Sequence, residues 1–501
     1  MKGRRWELRM NQSVMVLFPI FFPIFSGIAL LVMPKMKVRR NLITFLLVIL
    51  ILTGILVLNA IISCTEGIVL FWLTKNIPIF FKIDALGKIF VSIVIIVWIL
   101  AGFFSFEYMK HEQNEKRYFA FYLIALGVLV GLDFSGNLIT MYMFYELITL
   151  MLIPLIIHNM SREAIMAGLK YLFYSLCGAY MALFGLFFLS KYATDWTFHP
   201  GGVLDMNLVQ GHETLILVIT FLMIMGFGVK AGMFPLHAWL PTAHPVAPAP
   251  ASAVLSGIIV KSGALAIIRV IYYMVGADFL RGTWVQYVWM TLILITIFMG
   301  SMLAYKEPVM KKRFAYSTVS QISYILFGLA LMNPVGMTGA LLHIIFHAFI
   351  KTTLFLIAGA IIYQTGKVSV DQLTGIGKEM PVTIWCYTFV SIALIGIPPM
   401  SGFVSKWYLA TGPLQTGIPV FSWLGPVILL ISALLTAGYL LPITINGFFP
   451  GNDFDYEKCK KNEPSNWMLI PIIILTILAV ILGIMPNGLI SYITQLVETL
   501  L

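Results

Sequence analysis

The chain alternates long apolar runs with short polar turns. About fourteen runs begin near residues 14, 42, 84, 119, 137, 165, 214, 250, 284, 316, 335, 382, 424 and 468. Each is continuous rather than alternating at period two, and about twenty apolar residues suffice for a helix to cross a bilayer. The pattern predicts an all-α polytopic membrane protein of about 14 transmembrane helices, not a barrel. The first run follows MKGRRWELR; it is too long for a secretory signal and has no small-residue cleavage site, so it reads as a retained span. The polar stretches near 191–213 and 450–466 are too short to bury a core, so residues 1–501 read as one membrane domain. The closing segment NGLISYITQLVETLL is amphipathic and is expected to lie along the interface.

Composition agrees with this pattern. Of 501 residues, 60% are hydrophobic and 11% charged, and the mean hydropathy is +0.95. Soluble chains are about a quarter charged, so an ordinary cytosolic enzyme, a disordered protein and a secreted disulfide scaffold are excluded. Cys64, Cys177, Cys386 and Cys459 lie far apart with no CxxC pairing, which argues against iron–sulfur, zinc or dithiol chemistry and predicts no bound cofactor or metal.

The net charge of +11 falls in short turns between spans, so positive-inside bias explains it better than nucleic acid binding. Loops after odd-numbered spans hold 17 Lys and Arg, and the opposite face holds 8. The rule then places the odd loops in the cytoplasm and both termini outside, in a cell inner membrane. Lys2, Arg4, Arg5 and Arg9 oppose it. Either the overall bias overrides them, or translation starts at Met10.

The informative charges are those inside the spans. Glu146, Lys230, Lys261, Lys351 and Lys406 all fall in apolar runs. At roughly 3 kcal/mol per charge at a helix centre, five cost about 15 kcal/mol, as much as the net stability of a whole domain. Pairing, internal water or loss of a proton must compensate. Lys88, Lys170 and Arg269 lie nearer span ends and read as snorkelling side chains. Glu146 with a lysine partner is either a static interhelical ion pair or a switchable proton carrier, a role that suits lysine because its pKa shifts readily. His343, His347 and Lys351 stand at i, i+4 and i+8 on one helix face. They are open to three readings: a metal site, packed neutral histidines, or a proton relay.

Two runs are broken. GFGVKAGMFPLHAWLP carries Gly232 and Pro235 beside Lys230, and LIGIPPMSGFVSKWY carries Pro398 and Pro399 before Lys406. Proline removes a backbone donor, and non-helical backbone at membrane depth is tolerated only where protein or a wet cavity surrounds it. The breaks fall in spans 7 and 12. An offset of five spans inverts orientation, the pattern of inverted-topology repeats. Spans 4–8 and 9–13 would be the repeats: three N-terminal helices at 1–118, repeats at 119–273 and 284–449, and a loop, last helix and tail at 450–501.

YEL around Glu146, VKAGMFPLHAWLP, HPVAPAPASAVLSGIIVKSG, STVSQISYI, HIIFHAFIKTTLFLIAG and GIPPMSGFVSKWY occur in that order over roughly residues 80–410. Together they resemble the antiporter-like membrane subunits of respiratory complex I, membrane-bound hydrogenases and Mrp-type cation/proton antiporters. The resemblance implies two inverted five-helix repeats, a central hydrophilic axis, and partners that include homologous antiporter-like subunits. It also implies roles by position: Glu146 and Lys230 as an ion pair, Lys261 as central carrier, His343 and His347 as the link onward, Lys351 on the HxFxK pattern, and Lys406 as terminal lysine. Thr242 stands where the family usually has an acid, and Lys406 where one complex I branch has glutamate. The long C-terminal lateral helix of the most distal complex I subunit is not in the chain.

The expected function is translocation of H⁺, or exchange of H⁺ with Na⁺, by a subunit of a larger complex. The alternatives are a secondary transporter of a small organic solute, which shares broken helices and inverted repeats, and a structural scaffold.

Overall fold

A computed structural model describes residues 13–33, 38–451 and 460–501. The basic residues Lys2, Arg4, Arg5 and Arg9, the alternative start Met10, and Lys35, Lys37, Lys458 and Cys459 lie outside the described residues. The apolar runs form helices α1 (Phe18–Val32), α2 (Arg39–Ser63), then after a hairpin α3 (Ala85–Tyr108), α4 (Glu115–Asp133), α5 (Leu138–Ile156) and α6 (Arg162–Leu189). They continue as α7 (Glu213–Lys230), α8 (Leu240–Val246), α9 (Ala249–Val275), α10 (Trp284–Lys306), α11 (Met310–Ala330) and α12 (Pro334–Thr365). The last are α13 (Pro381–Ile395), α14 (Ser401–Thr411), α15 (Phe421–Phe448), α16 (Asn466–Ile484) and α17 (Asn487–Leu500). Among the described residues, ten helices are long and apolar enough to cross a bilayer.

Burial ranks these helices. The apolar stretches of α9 and α12 are wholly buried, whereas α2 and α15 turn most of theirs outward. A helix covered on every side is core, and these two carry Lys261, His343, His347 and Lys351. Close packing rests on small residues. A Cβ on Gly178 of α6 would sit 2.5 Å from the Gly226 carbonyl of α7, and one on Gly226 would press as hard on the Gly178 carbonyl. Glycine alone lets two backbones meet so closely.

The pattern of runs missed one element. The hairpin β1 (Ile68–Thr74) and β2 (Ile77–Phe81) is antiparallel, closed by a two-residue Lys75–Asn76 turn. It is a β-branched and aromatic stretch too short to span. It docks through Phe80 N–H on the Thr140 hydroxyl (2.9 Å) and Gly136 N–H on the Phe80 carbonyl (2.9 Å).

Several placements correct the sequence reading. The run beginning near 316 starts six residues earlier, at Met310, so Lys311 and Arg313 are not turn charges but buried first-turn residues of α11. Lys311 donates to the Ala247 carbonyl (2.8 Å), and Arg313 to the Glu307 (2.7 Å) and Tyr439 (3.0 Å) carbonyls. The Ala247 and Glu307 carbonyls are left over at helix ends, where a cation is favoured, whereas Tyr439 lies inside α15. Arg269 does not snorkel. It is buried and forms a forked ion pair with Asp84, the N-cap of α3. The tail helix α17 turns Ile493, Leu496, Val497 and Leu500 into the bundle, because its apolar face finds α12 and not only the interface.

Candidate functional site

The helices are interrupted in both of the glycine- and proline-bearing segments. α7 ends at Lys230, Gly232 takes φ +71°, and α8 begins at Leu240. Proline cannot supply the donor that would continue the ladder, and other groups take up the freed backbone. Trp239 Nε1–H donates to the Val229 carbonyl (2.8 Å), and Phe234 N–H donates to the Thr296 hydroxyl (3.0 Å). α13 ends before Gly396, at φ +92°, and α14 resumes after Pro398 and Pro399. Here Lys406 closes the break: its Nζ donates to the Leu394 (2.6 Å) and Ile395 (3.0 Å) carbonyls. That places a cation at the negative end of the α13 dipole.

Lys230 is buried, donates to the Tyr145 carbonyl (2.8 Å) and the Thr149 hydroxyl (2.9 Å), and lies 3.5 Å from the Tyr145 ring centroid. The direct Glu146–Lys230 ion pair is not formed: no such pair occurs among the described residues. The reason is helical geometry. Tyr145 and Thr149, four apart, share the α5 face turned to α7, whereas Glu146 is rotated about 100° away onto a half-buried face. Its Oε1 is buried without a hydrogen-bond partner.

Lys261 lies between two wide π-helical stretches, 255–259 and 269–275. Such turns leave carbonyls free and recur at functional sites. Its Nζ donates to the Ser256 carbonyl (2.7 Å). The Ser256 hydroxyl meets the Thr318 hydroxyl at 2.7 Å, and Thr318 donates to the Phe314 carbonyl (2.9 Å). Lys351 reaches that same carbonyl at 3.2 Å, and also donates to the Ser317 hydroxyl (2.6 Å), which meets the Tyr439 hydroxyl at 2.5 Å. One polar chain therefore joins the two buried lysines through α11. The motif STVSQISYI stands out in the sequence but this role does not, because nothing in spacing tells which face of α11 lies between α9 and α12.

Beyond Lys351 the axis runs through stacked rings. His347 and His343 lie 5.6 Å apart at 20°, and His343 stacks on Tyr324 at 5.7 Å. His343 Nδ1 meets the Ser405 hydroxyl at 2.9 Å, and Lys406 Nζ lies 5.0 Å from the Tyr324 ring centroid. Both His347 nitrogens are buried without a hydrogen-bond partner. Beside the first break, a groove of about 820 Å³ is lined by Lys170, His237, Thr242 and Lys312. Lys170 donates to the Thr242 hydroxyl there (3.0 Å). Sequence reasoning also passed over His244 and Asp133, which are fully or almost fully buried.

Replacing Thr318 with Val keeps the shape and removes the hydroxyl link. We expect ion flux to fall several-fold while the stability of the purified chain, followed by melting, changes by no more than about 1.5 kcal/mol, the worth of one hydrogen bond.

Fold and site together define a polytopic membrane protein with a buried axis of titratable side chains running between two interrupted helices. Residues 135–436 match the family described as "NADH:quinone oxidoreductase/Mrp antiporter, TM", and residues 72–119 match "NADH-Ubiquinone oxidoreductase (complex I), chain 5 N-terminus". The chain belongs to this family of antiporter-like membrane subunits. It is 31% identical over 426 residues to the NADH-quinone oxidoreductase subunit N of Desulforudis audaxviator, covering 82% of this chain and 83% of that one. It is 29% identical over 488 residues to a Na(+)/H(+) antiporter subunit of Bacillus subtilis, covering 97% of each. Among solved structures, a chain of an archaeal membrane-bound sulfane sulfur reductase superposes with TM-score 0.84 at 22% identity, covering 98% of this chain and 97% of that one. A chain of the Mrp complex from a Dietzia species matches with TM-score 0.84 at 20% identity and the same coverage.

Proposed function

We propose that this chain translocates protons, or exchanges H⁺ for Na⁺, as one membrane subunit of a complex related to complex I, to membrane-bound hydrogenases or to Mrp antiporters. The observation that carries this reading is the polar chain from Lys261 through Ser256, Thr318 and the Phe314 carbonyl to Lys351, buried between α9 and α12. A static bundle has no use for two lysines wired together at that depth, given what each costs to bury. Lysine and histidine can carry protons; the Ser256 and Phe314 carbonyls only accept, so a proton crosses between the two lysines by way of the hydroxyls and water.

In this reading the helices form fourteen spans. Spans four to eight, near 119–273, and nine to thirteen, near 284–449, are inverted repeats with breaks in the seventh and twelfth. The loops after odd-numbered spans face the cytoplasm, both termini face outside, and the 68–81 hairpin lies outside. Glu146, on its half-buried face, awaits a partner in a neighbouring membrane subunit, including a homologous one, and acts on Lys230 through the field across α5. Lys230, Lys261, Lys351, His347, His343 and Lys406 follow in order. Relatives carry ion-antiport and quinone-oxidoreductase names, so ion movement is favoured over organic-solute uptake.

The test is transport in vesicles holding the assembled complex. Glu146→Ala and Lys230→Ala are each expected to abolish the Na⁺-dependent or Na⁺-independent pH change, whichever the wild type shows, while the chain still inserts and assembles. Full transport in both variants sinks the reading.

A further inference from the structure

Around the hairpin-side half of α9 lies a second group of titratable side chains that the axis above does not use. Asp133, the last residue of α4, is 2% exposed, and its Oδ2 is buried without a hydrogen-bond partner. A buried carboxylate in that state is costly unless it binds a proton or a water. Asp133 and Lys261 line the same narrow cavity, together with Ser262, Leu129, Phe90 and Ile344. The space is about 10 Å³, the lower limit for a single water molecule.

The way on from Asp133 is short. A Cβ on Gly87 would lie 2.5 Å from the Asp133 carbonyl, so the first turn of α3 is pressed against it. That turn is capped by Asp84, whose carboxylate accepts from Gly87 N–H (2.8 Å) and holds Arg269. The Arg269 side chain is 3% exposed and that of Asp84 is 26% exposed, so the pair stands at the edge of the buried core. Lys82 N–H donates to the Phe134 carbonyl (2.8 Å), tying this end to the hairpin.

We propose that Asp133 is a proton-transfer residue linking Lys261 to the hairpin-side compartment, with the Asp84–Arg269 pair as the mouth of this branch. The proposal rests on the ion-translocation reading. In the transfer, an N–H bond of the Lys261 ammonium breaks and an O–H bond forms on the Asp133 carboxylate, with water in the shared cavity as the carrier. Neutral amine and neutral acid result, and the acid then gives its proton to water beyond Asp84. The reverse sequence loads Lys261 from that side. The charged group bearing on Asp133 is Arg269 of α9, itself held by Asp84 at the start of α3, while Lys261 lines the same cavity.

The experiment compares Asp133→Asn, Asp133→Glu and Lys261→Met in vesicles of known orientation holding the assembled complex, with assembly checked by co-purification. Asp133→Asn is expected to lower proton flux at least tenfold. Asp133→Glu, which restores an ionisable oxygen, should recover most of it. Flux in Asp133→Asn should also lose its dependence on hairpin-side pH and keep that on the opposite side, a change that a packing defect does not produce. Wild-type flux in Asp133→Asn alongside a dead Lys261→Met overturns the branch and leaves the translocation reading standing. Wild-type flux in Lys261→Met overturns both. If Asp133→Asn fails to assemble, equal failure of flux in an assembled Asp133→Glu counts against the branch, and recovery counts for it.

Discussion

Exchanging Lys261 for Met, which keeps length and loses the titratable nitrogen, is expected to cut proton flux at least about 100-fold, the scale on which a positioned proton donor and acceptor contributes. Lys261 is the branch point where the hydrogen bond to the Ser256 carbonyl leads to Thr318 and Lys351, and where the cavity toward Asp133 begins. Among the described titratable side chains, Lys261 alone reaches both. Stability should hold or rise, because a buried cation is replaced by an apolar group of similar volume. Vesicle acidification measured beside thermal melting separates the two effects. Loss of flux together with loss of folding, or flux near wild type, contradicts the assignment.

Arg269→Ala is expected to have the largest structural effect. The guanidinium is forked onto Asp84 and sandwiched between the Phe198 and Tyr273 rings, each 4.6 Å away. Removing it strands Asp84 at the cap of α3 and Asp133 nearby, and breaking a buried pair from one side costs about 3–5 kcal/mol. The melting temperature of the purified protein should drop by several degrees. Arg269→Leu with Asp84→Leu should be less destabilised than either single change, because no charge is left unpaired. Additive losses show that the pair is not coupled.

Much of the architecture was legible before any coordinates, because crossing a bilayer imposes a length and an apolar composition that few other structures share. The breaks near Pro235 and Pro398 were legible for a similar reason: proline's missing donor acts locally. The buried lysines were legible by their cost. The hairpin at 68–81 was not, since a short β-branched and aromatic stretch next to a span looks like more of the span. Lys311 and Arg313 were misplaced because a basic cluster after an apolar run reads as a turn, while in space it donates to carbonyls of other helices.

The chain by itself determined that it is helical and multi-pass, where its apolar runs are interrupted, and that charges must be accommodated inside, all consequences of transfer cost and backbone chemistry. Tertiary structure alone decided who meets whom. Whether Lys230 faces Glu146 or the Tyr145 carbonyl turns on about 100° of helix rotation. That Ser256 and Thr318 bridge two lysines, or that Asp133 shares a cavity with Lys261, depends on how α4, α9, α11 and α12 pack. Contacts between helices far apart in the chain leave no period in the sequence, because packing is set by shape across the bundle.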